Sequence, residues 1–109
     1  MKKKIKGLLI FVSVPDIKTA KKIIDAVLPK RLAASVNIVS KEDSFYWWKN
    51  KICKAKELLL TIKTSSDNFR KIEKAVKSVH PYEVPEIISI DISNASEDYF
   101  LWIKEYAKT

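Results

Sequence analysis

The segment HPYEVPEI, which begins at His80, holds the side chains best suited to chemistry in this chain. It contains the only histidine, together with the carboxylates of Glu83 and Glu86. Pro81 and Pro85 push the residues before them towards extended or polyproline II geometry, and each removes a backbone donor. We therefore predict a stiff, extended approach to a strand at the edge of a sheet.

If the segment is polyproline II, three residues per turn place His80, Glu83 and Glu86 on one ridge, with successive members ~9 Å apart. A metal ion needs donor atoms within about 2.0–2.6 Å of itself. We therefore expect this segment to supply one ligand of a metal site, with the others coming from elsewhere in the chain or from another subunit. The alternative is that His80 and the prolines only shape the turn.

The net charge of +8 rests on 19 lysines and two arginines, in a chain of 109 residues that is 47% hydrophobic. Such a balance permits contact with nucleic acids or anionic surfaces. However, the lysines are spread along the whole chain, and bidentate reading of bases prefers arginine. We interpret the charge as a solvated, lysine-rich surface and predict no nucleic-acid partner.

No apolar run approaches the roughly 20 residues that span a bilayer. The N-terminal MKKK precedes an apolar stretch, but that stretch is short and leads to Pro15 rather than to a small-residue cleavage site. Cys53 is the only cysteine, which excludes an intrachain disulfide and a multi-cysteine zinc site. We predict a cytoplasmic protein with no membrane partner.

Hydrophobic periodicity predicts seven elements. They are a buried strand at 8–12, a helix from Asp16 to just before Pro29, a strand at 32–48 with a bulge at 41–43, a returning strand at 52–64, a helix after 65–67, a strand at 88–92 and a short last helix. This β-α-β-β-α-β order plus a C-terminal helix indicates an α+β, ferredoxin-like split βαβ fold with a long β-hairpin. It forms one domain over residues 1–109.

Four consecutive aromatic residues, Phe45, Tyr46, Trp47 and Trp48, lie just before the predicted hairpin turn. Side chains alternate along a strand, so both faces of the hairpin carry rings. In a small monomer, this would leave a large apolar patch in water. We therefore predict that these rings form a subunit interface. A ligand pocket and a base-stacking platform are the alternatives.

The chain lacks the common motifs of catalysis. Its only glycine is Gly7, so phosphate-binding and dinucleotide-binding loops are excluded. A nucleophile–base pair would have to join His80 to Cys53 or to a serine, and neither pair has supporting sequence context. We predict that the protein is not an enzyme and requires no cofactor.

Over nearly its whole length the chain resembles the CutA divalent-cation tolerance family. The matching stretches are PD at 15–16, RLAASVN at 31–37, SFYWW at 44–48, LTIKT at 60–64, HPYEVPEI at 80–87, and Asp98, Tyr99 and Trp102. The resemblance implies a ferredoxin-like fold that assembles into a homotrimer by pairing of edge strands. It also implies a link to tolerance of copper and other divalent ions, and a signal-transducing role.

Copper-binding members of that family use a cysteine at the end of the first strand and a histidine pair before the proline. The corresponding positions here are Val12 and the pair Val79 and His80, and a further frequent cysteine of the family is Ser35. His80 is thus the remaining soft-metal ligand, and imidazole suits copper. The resemblance implies modest binding of Cu²⁺ or another divalent cation that weakens in acid, because His80 must be neutral to ligate.

Two functional hypotheses follow. The first is a non-enzymatic, cytoplasmic homotrimer that binds divalent metal ions weakly through His80 and neighbouring carboxylates. The second is a trimeric module that binds a small anion or metabolite in clefts between subunits, lined by Arg31, Lys63 and Tyr82.

Overall fold

The computed structural model describes residues 6–108 and contains four strands and three α-helices in the predicted order. The elements are β1 (Gly7–Val14), α1 (Ile17–Val27), β2 (Ser35–Trp48), β3 (Lys51–Ser65), a 3₁₀ turn (Ser66–Asn68), α2 (Phe69–Val79), β4 (Ile87–Ile92) and α3 (Glu97–Tyr106). Within this part of the chain, no helix is long and apolar enough to cross a membrane.

The four strands form one antiparallel sheet with the order β2-β3-β1-β4. The β1 strand is therefore central, and β2 and β4 are the two edges. This connectivity confirms the predicted ferredoxin-like split βαβ fold. The expectation that β1 is buried on both faces holds only in part, because Ile10, Val12 and Val14 on one face are fully buried, whereas Leu9 and Phe11 on the other face are half-buried.

Helices α1 and α2 pack side by side against one face of the sheet. The Asp16 side chain begins α1 by accepting a hydrogen bond from the Thr19 backbone N–H at 2.8 Å, and this bond lowers the pKa of the Asp16 carboxyl. Ile23 of α1 and Ile72 of α2 are completely buried between the helices and the sheet. The hydrophobic core therefore lies on this side only.

The last helix, α3, covers the end of the sheet where β1 begins. Its Ile103 side chain is fully buried, and the ring of Phe100 lies close to Gly7. After the helix ends, the backbone N–H of Lys108 donates to the carbonyl of Arg31 at 2.8 Å. These contacts attach the C-terminal part of the chain to the loop between α1 and β2.

The β2–β3 hairpin extends well beyond the helices, and the molecule measures 47 × 25 × 25 Å. Lys49 and Asn50 form its two-residue turn, and both have positive φ angles of 49° and 64°. Two left-handed residues are the geometry that two-residue hairpin loops favour, because it matches the twist of the strands. The predicted long hairpin is therefore confirmed.

The predicted position of the β-bulge was wrong. The irregularity lies between Ile38 and Ser40, where Val39 is the extra residue, and residues 41–43 pair regularly with β3. Polar residues in a strand do not require a bulge when they face solvent or a polar site. Because of the extra residue, Ile38 faces the helices whereas Glu42 faces the opposite side of the sheet.

Candidate functional site

The sheet face opposite α1 and α2 is open within the described part of the chain, residues 6–108. Phe11 and Leu59 on the inner strands are half-buried. Ile88 and Ile90 on the edge strand β4 are 54% and 53% exposed. The apolar side chains of this face are therefore in contact with water in a single subunit, because no other part of the described chain covers them.

A groove of about 1030 Å³ lies on this open face, between the hairpin and the segment that precedes β4. Four glutamates line it: Glu42, Glu57, Glu83 and Glu86. Six aromatic residues also line it: Phe11, Phe45, Tyr46, Trp47, Trp48 and Tyr82. The chain has 21 lysines and arginines, yet none is among the described residues that line the groove. The groove is therefore acidic and aromatic in a strongly basic protein.

Ser13 connects three elements at the floor of this groove. Its hydroxyl oxygen lies 2.9 Å from Oε1 of Glu42 on β2 and 3.4 Å from Oε2 of Glu86 just before β4. A serine hydroxyl has a single hydrogen to donate. The shorter distance indicates that Glu42 accepts it, while Glu86 lies beside the pair.

Tyr82 and Glu57 form a second polar pair in the groove. The Tyr82 hydroxyl donates to Oε2 of Glu57 at 2.9 Å, and only 7% of Glu57 is exposed. Burial, and then the hydrogen bond to this carboxylate, raise the pKa of the Tyr82 hydroxyl above its usual value. Tyr82 is therefore a neutral hydrogen-bond donor throughout the physiological range.

The buried carboxylate of Glu57 has no cationic partner among the described residues. The ion pairs formed within residues 6–108 use Asp91 and Glu73 instead. Its neighbour directly across the sheet is Glu42, so two acids face each other in register. Like charges at such positions destabilise a sheet. In one subunit, Glu57 and Glu42 therefore bring two carboxylates together, and no lysine or arginine among the described residues forms an ion pair with them.

His80 is 8% exposed and lies at the end of α2, where both of its ring nitrogens have partners. Nδ1 is 3.2 Å from the backbone N–H of Tyr82 and accepts from it. Nε2 is 2.8 Å from the carbonyl oxygen of Ser13 and donates to it. The imidazole thus connects the segment before β4 to the central strand, and metal ligation would require one of these bonds to break.

The predicted metal ligands His80, Glu83 and Glu86 do not form one ligand set within a subunit. Glu83 and Glu86 are exposed, and residues 82–84 bend instead of continuing an extended ridge. The bend arises because the Tyr82 backbone N–H turns back to the buried imidazole. No group of three His, Cys, Asp or Glu side chains within residues 6–108 is arranged to hold a metal ion. Metal binding through His80 stays a prediction.

The positions at which copper-binding members of the family carry further ligands lie away from the groove. Val12 is completely buried in the core on the helix-covered face, and Val79 packs against that core. Ser35 begins β2 opposite Lys63, at the other end of the sheet face from the hairpin. These three positions therefore do not surround His80 with further ligands.

The predicted cleft residues Arg31, Lys63 and Tyr82 are separated in one subunit. The Arg31 guanidinium lies 5.3 Å from the ring centre of Tyr106, and the Lys63 ammonium donates to Oδ1 of Asn37 at 2.6 Å. Of the three predicted residues, only Tyr82 lines the groove. A site that uses all three would need more than one subunit.

The four hairpin rings divide between the two faces, as predicted. Phe45 and Trp47 lie on one face and are 66% and 71% exposed, and Tyr46 and Trp48 lie on the groove face and are 42% and 37% exposed. Their role as a subunit interface stays a prediction. The groove-facing pair also fits the alternative of a ligand pocket.

Sequence reasoning missed Ser13, Glu42 and Glu57. Acidic residues are usually at the surface, so Glu42 and Glu57 did not stand out from the other acids of the chain. One signal was present: Glu57 directly precedes the apolar run LLL in the inner strand β3. An acid beside the buried part of an inner strand is uncommon enough to merit selection.

Comparison with known proteins gives a consistent result. The family model described as CutA1 divalent ion tolerance protein matches residues 8–106. The divalent-cation tolerance protein CutA of Pyrococcus horikoshii is 36% identical over 101 residues, covering 93% of this chain and 98% of that protein. Protein CutA of Homo sapiens is 40% identical over 99 residues, covering 91% of this chain and 55% of that protein.

Solved structures agree with the sequence matches. The divalent cation tolerance protein (Cut A1) of Thermus thermophilus has a TM-score of 0.90 at 36% identity, covering 94% of this chain and 99% of that one. The periplasmic divalent cation tolerance protein CutA of Archaeoglobus fulgidus has a TM-score of 0.89 at 34% identity, with the same coverage. The resemblance inferred from sequence motifs is confirmed. The chain belongs to the CutA1 family of divalent ion tolerance proteins.

Proposed function

We propose that this protein is a non-enzymatic divalent-cation tolerance protein that acts as a homotrimer. Family membership supports the general kind of function. The main observation that supports the homotrimer is the amount of apolar surface that one subunit exposes to water. Trp47 and Ile52 are opposite each other on the hairpin, and they are 71% and 66% exposed.

Burial of these side chains by other copies would contribute substantially to association. An aromatic side chain buries about 150–250 Å². At about 25 cal/mol per Å² of apolar surface, covering half of one such ring contributes about 2–3 kcal/mol. The edge strands β2 and β4 also carry backbone groups that are free to pair with another chain. Edge pairing and ring burial together favour a closed oligomer.

Size-exclusion chromatography with light scattering tests the assembly. We expect a mass of about three times the 12.6 kDa of one chain. The variant Trp47→Lys should lower this mass, whereas Ile17→Lys, on the exposed side of α1, should not. A monomer mass for the unmodified protein would contradict the proposal.

We extend the proposal to weak binding of divalent cations, including Cu²⁺, by the assembled protein. One subunit does not group three suitable donors within residues 6–108, so the proposal takes the further ligands from another copy. His80 is the soft ligand in this scheme, and it must release the Tyr82 N–H or the Ser13 carbonyl to bind. These lost bonds are a physical reason for modest affinity.

Copper titration followed by calorimetry tests the metal site. We expect His80→Ala to weaken Cu²⁺ binding by about tenfold or more, as removal of an imidazole ligand from a weak site should. Lowering the pH should also weaken binding in the unmodified protein, because a protonated imidazole cannot ligate. Unchanged affinity in His80→Ala would exclude this residue as a ligand.

The proposal includes a cytoplasmic location and a signalling role. The single cysteine, Cys53, suits a reducing compartment, although it does not require one. Cell fractionation with an antibody against the protein tests the location. Recovery of the protein outside the cytoplasmic fraction would contradict it.

The hypothesis of a small-anion site has less support. The groove of one subunit carries four glutamates, which repel anions, and Arg31 and Lys63 lie elsewhere. We therefore expect inorganic phosphate to leave the melting temperature unchanged.

A further inference from the structure

The outer side of α1 and α2 carries most of the excess positive charge of the molecule. Each helix is 11 residues long, and together they contain seven basic and two acidic residues, a net charge of +5. The whole chain carries +8, so the rest of it, although much longer, carries only the remaining +3. The lysines are spread along the sequence, but the fold concentrates the unbalanced charge on two neighbouring helices.

The exposed positions of these helices are mainly basic. Three of the ten exposed residues are Ile17, Asp25 and Ser78. The other seven form what we term the basic helix surface: Lys18, Lys21, Lys22, Arg70, Lys71, Lys74 and Lys77. Asp16 and Asp67 add two acids just before the helices, where Asp16 caps the start of α1. Between these ends, the surface presented to water is strongly positive.

The topology places lysines of the two helices at the same end of the molecule. Strands β1 and β2 run parallel because both pair antiparallel with β3, and β4 runs with β3. Each helix returns against the strand that precedes it, so α1 and α2 lie antiparallel and in contact. The first half of α1 is therefore beside the second half of α2. This arrangement brings Lys18, Lys21 and Lys22 to the end that also carries Lys74 and Lys77.

Little within one subunit offsets these charges. The Glu73 carboxylate lies 2.9 Å from the guanidinium of Arg70 and 3.5 Å from the ammonium of Lys77. Within residues 6–108, no other member of the basic helix surface forms an ion pair. The first turn of α1 has no acidic residue and contains Lys18, although the helix dipole favours negative charge there. A negatively charged partner would relieve this repulsion.

The composition of the surface favours an acidic protein segment over a nucleic acid. Asp25 and Glu73 lie among the basic residues, where they would repel the phosphates of a continuous backbone. The only arginine, Arg70, already bonds Glu73, and lysines lack the fork that binds phosphate in a bidentate manner. No exposed residue of α1 or α2 is aromatic, so unpaired bases would find no stacking platform. Ile17, which is 48% exposed, offers an apolar contact to a protein side chain.

We propose that the basic helix surface binds an acidic segment of a partner protein. Its lysines pair with aspartate and glutamate side chains of that segment, and Ile17 contacts an apolar residue beside them. The surface lies on the side of the sheet opposite the open face, so the proposed homotrimer leaves it in water and presents it three times. A partner with several acidic segments would then gain avidity. This inference goes beyond the proposed function and does not depend on metal binding.

Fluorescence anisotropy with a labelled oligoglutamate peptide tests the proposal. We expect the peptide to bind the unmodified protein at physiological ionic strength and to dissociate as salt is added, because exposed charges are screened. The triple variant Lys21→Gln, Lys22→Gln and Lys74→Gln should weaken binding about tenfold or more, since each exposed pair contributes up to about 1 kcal/mol. Glutamine and lysine have similar helix propensities, so the variant should remain folded.

The matched control removes three lysines from exposed positions outside the basic helix surface: Lys30→Gln, Lys104→Gln and Lys108→Gln. Both triple variants lose the same net charge. We expect the control to weaken binding less than about threefold, because it leaves the lysines that contact the peptide in place. Equal weakening by the two triple variants would show that net charge alone attracts the peptide, and this would overturn the proposal.

Failure of the unmodified protein to bind oligoglutamate would also overturn it. Tighter binding of an oligouridylate RNA, or of vesicles that contain phosphatidylserine, through the same three lysines would assign the surface to a different partner and reject the proposal. Light scattering on the same samples separates this inference from the proposed homotrimer. A monomer that binds the peptide contradicts only the homotrimer, and a trimer that does not bind it contradicts only the acidic partner.

Discussion

The sheet face covered by α1 and α2 and the open face differ in what they bury. On the covered face, the completely buried side chains are mainly aliphatic, such as Ile10, Ile62 and Val76, and the hydroxyl of the buried Thr64 donates to the carbonyl of Leu32. On the open face, the buried side chains include those of Glu57 and Ser13. Burial of such groups costs free energy unless partners are supplied.

The two faces also differ in what they leave in water. Large apolar side chains of the open face and the hairpin, such as Ile88 and Trp47, remain more than half exposed. A single subunit therefore gains its stability mainly from the covered face. The open face has the composition of a surface that is completed by contacts from outside the chain.

Ile62→Ala should cause the largest change and tests the role of the covered face. We expect a loss of about 2–5 kcal/mol in the free energy of unfolding, because the side chain is fully buried and its removal leaves a cavity. Ile17→Ala, at a position that is 48% exposed on α1, should cost about 0.5 kcal/mol or less. Urea unfolding followed by circular dichroism measures both, and equal losses would contradict the comparison.

His80→Ala should cause the next largest change, about 2 kcal/mol, because two backbone groups lose their partners. The released N–H of Tyr82 should exchange faster with deuterium in hydrogen-exchange experiments. Lys77→Ala, at an exposed position near the end of the same helix, is the control. Unchanged exchange at Tyr82 would show that the imidazole does not hold this segment.

Tyr82→Phe should cost about 1 kcal/mol at neutral pH, because Glu57 loses a hydrogen bond. The variant also isolates a pH effect. Since folding raises the pKa of the Tyr82 hydroxyl, the folded state retains the proton when the unfolded state has lost it. The stabilisation is complete below the ordinary tyrosine pKa of about 10 and decreases as the pH rises above it.

Thermal unfolding between about pH 8 and 11 measures this effect against the ordinary tyrosine pKa. We expect the difference in melting temperature between the unmodified protein and Tyr82→Phe to shrink at the alkaline end. A constant difference over the whole range would show that the hydroxyl is not coupled to folding. Tyr99→Phe, on the exposed side of α3, is a suitable control.

In a dissociated subunit, Lys54→Ala should cause the smallest change, about 0.5 kcal/mol. The Lys54 ammonium lies 5.4 Å from the ring centre of Phe45, which is 66% exposed. Exposed pairs of this kind contribute little because water screens them. Thermal unfolding of Lys54→Ala beside Lys56→Ala provides the measurement. A loss of about 2 kcal/mol or more in the assembled protein would support the proposed cover of the hairpin rings by another copy, because a desolvated pair is stronger.

The order of elements could be predicted because each depends on local patterns. The alternation of Ile88, Ser89 and Ile90 identified β4, and Asp16 followed by an apolar stripe identified α1. The turn at Lys49 and Asn50 could also be located between two β-rich runs. These signals arise from neighbouring residues, so a single sequence contains them.

The site could be predicted only in part, because its contacts join distant residues. The segment that begins at His80 was selected as a candidate site, but its imidazole turns inward to a carbonyl 67 positions earlier in the chain. Ser13 and Glu42 meet across 29 positions, and β1 and β2 are not adjacent in the sheet. Pairing across the sheet decides such contacts, and no local pattern reveals them.

The extra residue Val39 has a consequence for how this hairpin tolerates changes in length. In β2, even-numbered side chains before Val39 face the helices, and even-numbered side chains after Val39 face the opposite side of the sheet. Deletion of Val39 would leave both halves of the strand correctly oriented. An insertion or deletion of one residue between positions 41 and 48 would invert every side chain beyond it. Natural length variation in β2 is therefore expected at position 39.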